Sequence, residues 1–353
     1  MAVDLFEIAR EQLSLYNPFV LYRKPSSRQL RLLIQSGSGL NSIRSYNESG
    51  FVMAPFDPDR SPIYLKPDRI FLADNYVPKP SYRREISIVD DNKEARNKHI
   101  SLVSKVLEEI NSGPLNKVVV SRKIEIPLTT NPLDGFNNLL IEHPEAFCYF
   151  WYHPITGIWT GATPELFLSK KKDQISTYSL AGTKAIENDI PPNWSDKEKE
   201  EQRYVTDFIV EQLSLAGLEP VPSATIAIRA GQLWHLRTEI KAELVGQNIE
   251  GIISKLHPSP AVCGSPKDKA GTFLIKCEDY DREFYSGYLG EFNLTESGEF
   301  DLFVNLRCMA WSNGLARVYV GGGITSRSIP EEEWLETEYK SKTIINALFN
   351  YQE

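Results

Sequence analysis

A chain of 353 residues, 41% apolar and 11% aromatic, has enough core-forming side chains to rule out a disordered protein, and its length fits one large domain or two interleaved lobes. The formal net charge of -8 and the lack of any polybasic stretch argue against a nucleic-acid binder and against an anionic membrane partner, both of which need a basic face. A small molecule is the expected partner.

At the N-terminus, MAVDLFEIAREQLSLY sets acids among spaced apolar residues and lacks the basic start and apolar block of a signal peptide; no stretch approaches a membrane span. Residues 1 to about 90 alternate short apolar runs with Pro, Ser, Asn and Gly clusters, which predicts strands linked by turns. DNKEARNKHISLVSKVLEEINSG predicts a helix, because Ile100, Val103, Val106, Leu107 and Ile110 recur at helical spacing and Gly113-Pro114 supply a stop. LNKVVVSRKIEIPL then predicts a strand, a β-branched run followed by alternation. From Ala146 to Thr183 strand and turn signals alternate at short spacing, so antiparallel hairpins are the expected connection. SDKEKEEQRYVTDFIVEQLSLAG predicts a second long helix, with Ser195 at its N-cap, acids in its first turn and Val205, Phe208, Ile209 and Leu213 along one stripe.

Beyond it come more strands in TIAIRAGQLWHLRTEIKAEL, a Pro-rich turn, another helix, two strands and a final helix containing EEEWLETEYK. Runs of antiparallel strands punctuated by long helices describe an α+β fold. Cys148, Cys263, Cys277 and Cys308 lie apart in apolar sequence with no CxxC spacing, as reduced core thiols do, and a cytoplasmic protein is expected.

Several familiar sites are missing from the sequence: no GxxxxGK[ST] loop, no GxGxxG between strand and helix, no HExxH and no GxSxG. Five histidines without clustered spacing argue against a transition-metal site. Carboxylates are plentiful. Glu198 and Glu201 stand three apart, hence one turn apart on one helix face, and Glu333 and Glu336 repeat that spacing with Lys340 four residues on. If the two faces met, four carboxylates would repel one another unless a hard cation with oxygen ligands lay between them, and Mg²⁺ suits that role. Spacing alone leaves two solvated faces as the commoner alternative.

Lys117 opens KVVVSR and shares a strand face with Val119 and Ser121; a surface lysine is the ordinary reading, a desolvated general base the sharper one. Glu165 opens an apolar strand in GATPELFL, as either a turn carboxylate or a general acid. His235 and Arg307 interrupt apolar strands, and an arginine there needs an anion, from substrate or from the protein itself. The triple glycine of VYVGGGITS follows a strand and suits either a bulge or the close approach of a ligand.

Taken in order, KVVVSR, GATPELFL, LAGTKA, SDKEKEEQRYV, LWHLRTEI, LHPSPAVCGSPK, FYSGYLGEF, LFVNLRC, VYVGGGI and EEEWLETEYKSK resemble the chorismate-utilising enzyme family, and among its branches the isochorismate synthases. The resemblance implies a single large α+β domain of two packed antiparallel sheets flanked by helices. Residues 1–90 would form its N-terminal strand-rich part and residues 91–353 its chorismate-binding catalytic region. It implies a cytoplasmic, monomeric, Mg²⁺-dependent isomerase whose partner is chorismate, with no nucleic acid or membrane: water adds at one ring carbon as the hydroxyl leaves another. Its product would feed menaquinone, siderophore or salicylate synthesis.

Residue by residue, the resemblance casts Lys117 as the base that activates water and Glu165 as the acid that protonates the departing hydroxyl. Glu201 and Glu336 become direct metal ligands, with Glu198 and Glu333 acting through bound water. Arg307 and Tyr285 would hold the enolpyruvyl carboxylate with backbone N–H groups near Gly321 and Gly323. Lys340 would face the ring carboxylate, while Ala181, Gly182, Thr183 and His235 line the ring. Lys117 and the Ala181-Gly182-Thr183 triplet resemble the water-using branch, and Ala261 stands where the pyruvate-eliminating salicylate synthases carry Thr. Gln202, Ser259 and Tyr288-Leu289 depart from the usual His, Thr and Pro-Val. A salicylate synthase and a non-catalytic binder of an anionic metabolite are the alternatives. In EEEWLETEYK itself, Glu331, Glu332 and Glu338 are expected in solvent and Trp334 in the core.

Overall fold

The computed structural model describes residues 4–43, 46–79, 84–86, 93–127, 131–186, 190–230, 233–312 and 314–351. Two antiparallel sheets dominate it, one of nine strands and one of ten. The first sheet runs, edge to edge, through Gly264–Ser265, Lys117–Pro127, Leu315–Thr325, Cys308–Ser312, Gly157–Thr163, Phe147–His153, Phe19–Arg23, Leu30–Ile34 and Arg69–Ala73. In the second, the central strands are Leu233–Glu243, Gln174–Ala185, Leu166–Lys171, Phe300–Val304, Tyr288–Phe292 and Gly50–Ala54.

The layering follows from alternation within single strands. In Phe147–His153 every residue is buried, yet Phe147, Tyr149 and Trp151 join a cluster with Phe51, Met53 and Phe303 of the other sheet. Cys148, Phe150 and Tyr152 point the other way, onto a cluster that includes Leu133 and Phe136 of the helix Pro132–Glu142. A strand covered on both faces reads as a continuous apolar run even in an antiparallel sheet. On the outer face of the second sheet, Val205, Ile209 and Leu213 of the helix Asp196–Leu215 pack with Ile240, Ala242 and Leu302. The result is helix, sheet, sheet, helix, one domain of the expected α+β class. Among the described residues, no helix is long and apolar enough to cross a membrane.

Local differences from the sequence reading have local causes. Leu5–Ser14 is a helix rather than a strand: Asp4 accepts from the Phe6 N–H at 2.9 Å, and Leu5, Phe6 and Ala9 are buried on one side. Helices Pro132–Glu142 and Ile249–Leu256 were not anticipated, although Asn131 and Asn248 cap them as helix-starting residues do. Four strands, not two, lie between Tyr288 and Thr325. The helix expected from Asp91 is described from Lys93, its first two positions falling outside the described residues. Cys148, Cys263 and Cys308 are buried free thiols, and Cys277 is half-buried.

One connection positions chemistry. Gly157–Thr163 pairs with Phe147–His153, and Leu166–Lys171 with Gln174–Ala185, as hairpins should. Between them, however, the chain does not turn back on itself; at Pro164-Glu165 it leaves the first sheet and enters the second. Glu165 therefore stands between the layers.

Candidate active site

A cleft opens between the two sheets, lined by residues of both. Eleven of the fifteen candidate catalytic, substrate and metal residues line it, Glu165, Glu201, His235 and Arg307, the 181–183 triplet, and Tyr285, Gly321, Gly323 and Lys340, and so does Ala261. Lys117 lies just behind the wall. Its strand pairs along its whole length with the glycine strand Leu315–Thr325, setting Gly323 opposite Val119 and Thr325 opposite Lys117. The Lys117 side chain is fully buried, and its Nζ lies 3.1 Å from Glu201 Oε1. A Cβ at residue 323 would come within 2.1 Å of Glu201 Oε1 and 2.9 Å of Lys117 Cε, so a side chain there would displace one or both of them.

The Lys117 strand is anchored from behind by Arg282 and Glu278. Arg282 donates to the Val119 and Val262 carbonyls at 2.6 and 2.8 Å, while Glu278 accepts from both the backbone N–H and the hydroxyl of Ser121 at 2.8 Å. This buried pair, 2.6 Å apart, was not picked out in the sequence.

Glu165 is 4% exposed. Burial pushes its carboxyl up to about 8, a rise that Lys117, Lys340 and Arg307 reduce but do not cancel. At neutral pH it is a proton donor.

Opposite, Gly182 sits in the left-handed region (φ 74°) at a break in strand register between Ala181 and Thr183, and a Cβ on it would lie 3.0 Å from that of Glu198. Arg307 donates to His235 Nε2 at 3.3 Å, so that nitrogen accepts and the ring proton sits on Nδ1, 3.3 Å from Thr183 Oγ1. Burial first, then Arg307 and Lys340, hold His235 well below 6.5, hence neutral. Burial also lowers Arg307 to about 10, which its favourable interactions with Tyr285, Glu336 and Glu165 do not offset. An anion entering beside this guanidinium gains a charge-assisted contact in a dry setting.

The two acidic helices, Asp196–Leu215 and Pro330–Leu348, converge over the glycine strand. Glu333 Oε2 and Glu336 Oε1 flank the position a Cβ of Gly322 would take, at 3.4 and 3.7 Å, next to Glu201 at Gly323. Glu333 is 1% exposed; burial and the Glu336 charge raise its carboxyl above the ordinary range, and Oε2 has no hydrogen-bond partner. Glu336 is held low, the pull of Lys340 outweighing burial. Glu198 is placed differently: its carboxylate accepts from the backbone N–H and hydroxyl of Ser195 at 2.9 and 2.7 Å, capping its own helix.

Among the described residues, no three carboxylate, imidazole or thiol groups already form a closed metal cluster. The donor chemistry nonetheless fits a hard divalent cation, since Glu333, Glu336 and Glu201 all lie within reach of the Lys197 charge and one buried Glu333 oxygen has no hydrogen bond. In the same helix Glu331 and Glu332 are exposed and Trp334 is buried, as expected. Glu338 is not free in solvent; it pairs with Arg122, whose guanidinium lies 4.0 Å over the Trp334 ring. Lys197, which the sequence reading passed over, bonds Glu333 at 2.5 Å. Its spacing was the available signal, four residues before Glu201 on the same helix face.

A profile of the chorismate binding enzyme family matches residues 67–349. The chain is 29% identical over 273 residues to isochorismate synthase DhbC of Bacillus subtilis, covering 70% of this chain and 66% of that protein. It is 31% identical over 248 residues to isochorismate synthase EntC of Escherichia coli, covering 66% and 62%. Both alignments span less than two thirds of the relative's own length. Among solved structures, a putative 2,3-dihydroxybenzoate-specific isochorismate synthase, DhbC from Bacillus anthracis, superposes with a TM-score of 0.81 at 23% identity, over 98% of this chain and 99% of that one. That likeness bears on the fold.

Proposed function

The chain belongs to the chorismate-binding enzyme family, and we propose that it is an Mg²⁺-dependent isochorismate synthase, converting chorismate to isochorismate. The observation that carries this reading is two buried groups suited to opposite tasks, Glu165 in the cleft and Lys117 just behind its wall. Glu165 keeps its proton up to about 8, while the Lys117 side chain is fully buried with a carboxylate 3.1 Å away. Lys117 Nζ takes a proton from water as the water oxygen bonds to one ring carbon; Glu201 stabilises the ammonium so formed. The ring double bonds shift, and the hydroxyl leaves another carbon with the proton of Glu165. One hydroxyl replaces another, so the product is an isomer of the substrate.

Arg307 and Tyr285 hold the enolpyruvyl carboxylate, with backbone N–H groups near Gly321 and Gly323. His235, braced by Thr183, fixes the guanidinium from the other side, and Lys340, which donates to the Gly321 carbonyl at 2.9 Å, turns its charge toward the ring carboxylate. Glu201 and Glu336 would ligate Mg²⁺ directly, with Glu333 and Glu198 acting through water. When bound, the ion supplies positive charge against which the ring carboxylate of a dianion can settle.

Resolving the products formed from chorismate and Mg²⁺ tests the reading. Isochorismate in equilibrium with chorismate supports it; salicylate with pyruvate would make the protein a lyase as well, and no turnover would leave only a binder. Glu336→Gln tests the metal assignment. The apparent Mg²⁺ affinity, followed by titrating activity, should weaken by at least about tenfold together with the rate. An unchanged metal titration removes Glu336 from the ligand set.

A further inference from the structure

Each of the four glutamates assigned to the metal site has its own lysine. Glu198 faces Lys184 at 3.7 Å, Glu201 faces Lys117 at 3.1 Å, Glu333 faces Lys197 at 2.5 Å and Glu336 faces Lys340 at 2.6 Å. Four lysine side chains thus stand against the four carboxylates before any metal arrives. Three of these lysines have other contacts or tasks. Lys117 is the proposed base, Lys340 donates to the Gly321 carbonyl, and Lys184 donates to the Asn193 carbonyl at 2.8 Å and is one-third exposed.

Lys197 is different. Its side chain is 17% exposed and its partner Glu333 1%, and its charge also acts on Glu336 and Glu201. A buried carboxylate stripped of its partner is strongly destabilising. Lys197 removes that cost in the metal-free protein. A divalent ion on the same carboxylates would repel an ammonium so close, and a lysine, with its flexible stem in a first helical turn, has a way out toward solvent.

We propose that Lys197 is the resident counter-cation of Glu333, displaced when a divalent ion binds, and that it thereby sets the metal affinity of the substrate-free protein. This rests on the metal site assigned above. Lys197 balances the charge of buried Glu333 in the empty cluster, and weakens its hold on the ion until an anionic substrate joins.

Calorimetric titration of the EDTA-treated full-length protein with MgCl₂ alone, without chorismate, tests this. Lys197→Met should bind Mg²⁺ about tenfold more tightly than the unaltered protein, and Lys197→Arg, which keeps the charge, no more tightly. Equal or weaker binding by Lys197→Met overturns the proposal. Should that variant fail to fold, the unaltered protein answers through amine acylation read by mass spectrometry: Mg²⁺ should raise labelling at Lys197, and unchanged labelling at saturating Mg²⁺ overturns it. Glu336→Gln separates the two levels. Binding that Glu336→Gln weakens and Lys197→Met leaves alone defeats the Lys197 proposal only; binding indifferent to both defeats the metal site too.

Discussion

Replacing Lys117 by methionine is expected to cut turnover by about 10²–10⁴-fold, the range a positioned general base supplies, while chorismate binding stays within a few-fold. Methionine is chosen because the position is fully buried and tolerates an unbranched apolar chain of similar length. Lys117 lies behind the cleft wall, and the groups assigned to the substrate's carboxylates, Arg307, Tyr285 and Lys340, are untouched. The loss should therefore fall on kcat and not on KM. Stopped assays for rate and calorimetry for binding would read the two separately, with thermal unfolding as the control for the fold. Near-normal turnover would remove Lys117 from the mechanism.

Glu165→Gln should be almost as damaging, about 10²–10⁴-fold in rate, and it carries a second signature in pH. A group raised to about 8 is protonated below that value, so the acid form predominates at neutral pH and is lost as pH rises through 8. The rate of the unaltered protein should thus be flat toward neutrality and fall on the alkaline side. Glutamine cannot ionise, so the alkaline limb assigned to Glu165 should disappear from the residual activity. Stability follows the same sign. Between the ordinary 4.5 and about 8 the folded chain holds a proton that the unfolded chain has released, so this contribution is complete below 4.5 and lost as pH climbs to 8. Denaturant unfolding of Glu165→Gln across that window should show a shallower decline than the unaltered protein. An alkaline limb that survives unchanged in Glu165→Gln would assign it to another group.

Much of this site was legible because its parts sit on regular elements. The i,i+3 spacing of Glu198 with Glu201 and of Glu333 with Glu336 fixes a face before any tertiary contact is known, and the split of EEEWLETEYK into exposed Glu331 and Glu332 and buried Glu333 follows from the same geometry. What was hidden depends on long-range packing. Pro164-Glu165 looks like a turn in sequence whether the next strand folds back or crosses to the other sheet, and only the crossing buries Glu165. Lys117 reads as a surface residue until the first acidic helix brings Glu201 over it. Glu338 was assigned to solvent because its partner Arg122 is more than two hundred residues away. Glu198 satisfies two local rules at once, helix cap and paired acid, and the structure shows the cap. Leu5–Ser14 was missed because its apolar residues were read against the turn-rich segment that follows, although Asp4 marks its start.

The most direct measurement is the conversion of chorismate in ¹⁸O-labelled water with Mg²⁺, followed by mass spectrometry of the separated products. Water attack at one ring carbon with loss of the original hydroxyl predicts isochorismate carrying one solvent-derived oxygen, approached to equilibrium, with no pyruvate released. Unlabelled isochorismate, or pyruvate appearing with an aromatic product, would contradict it.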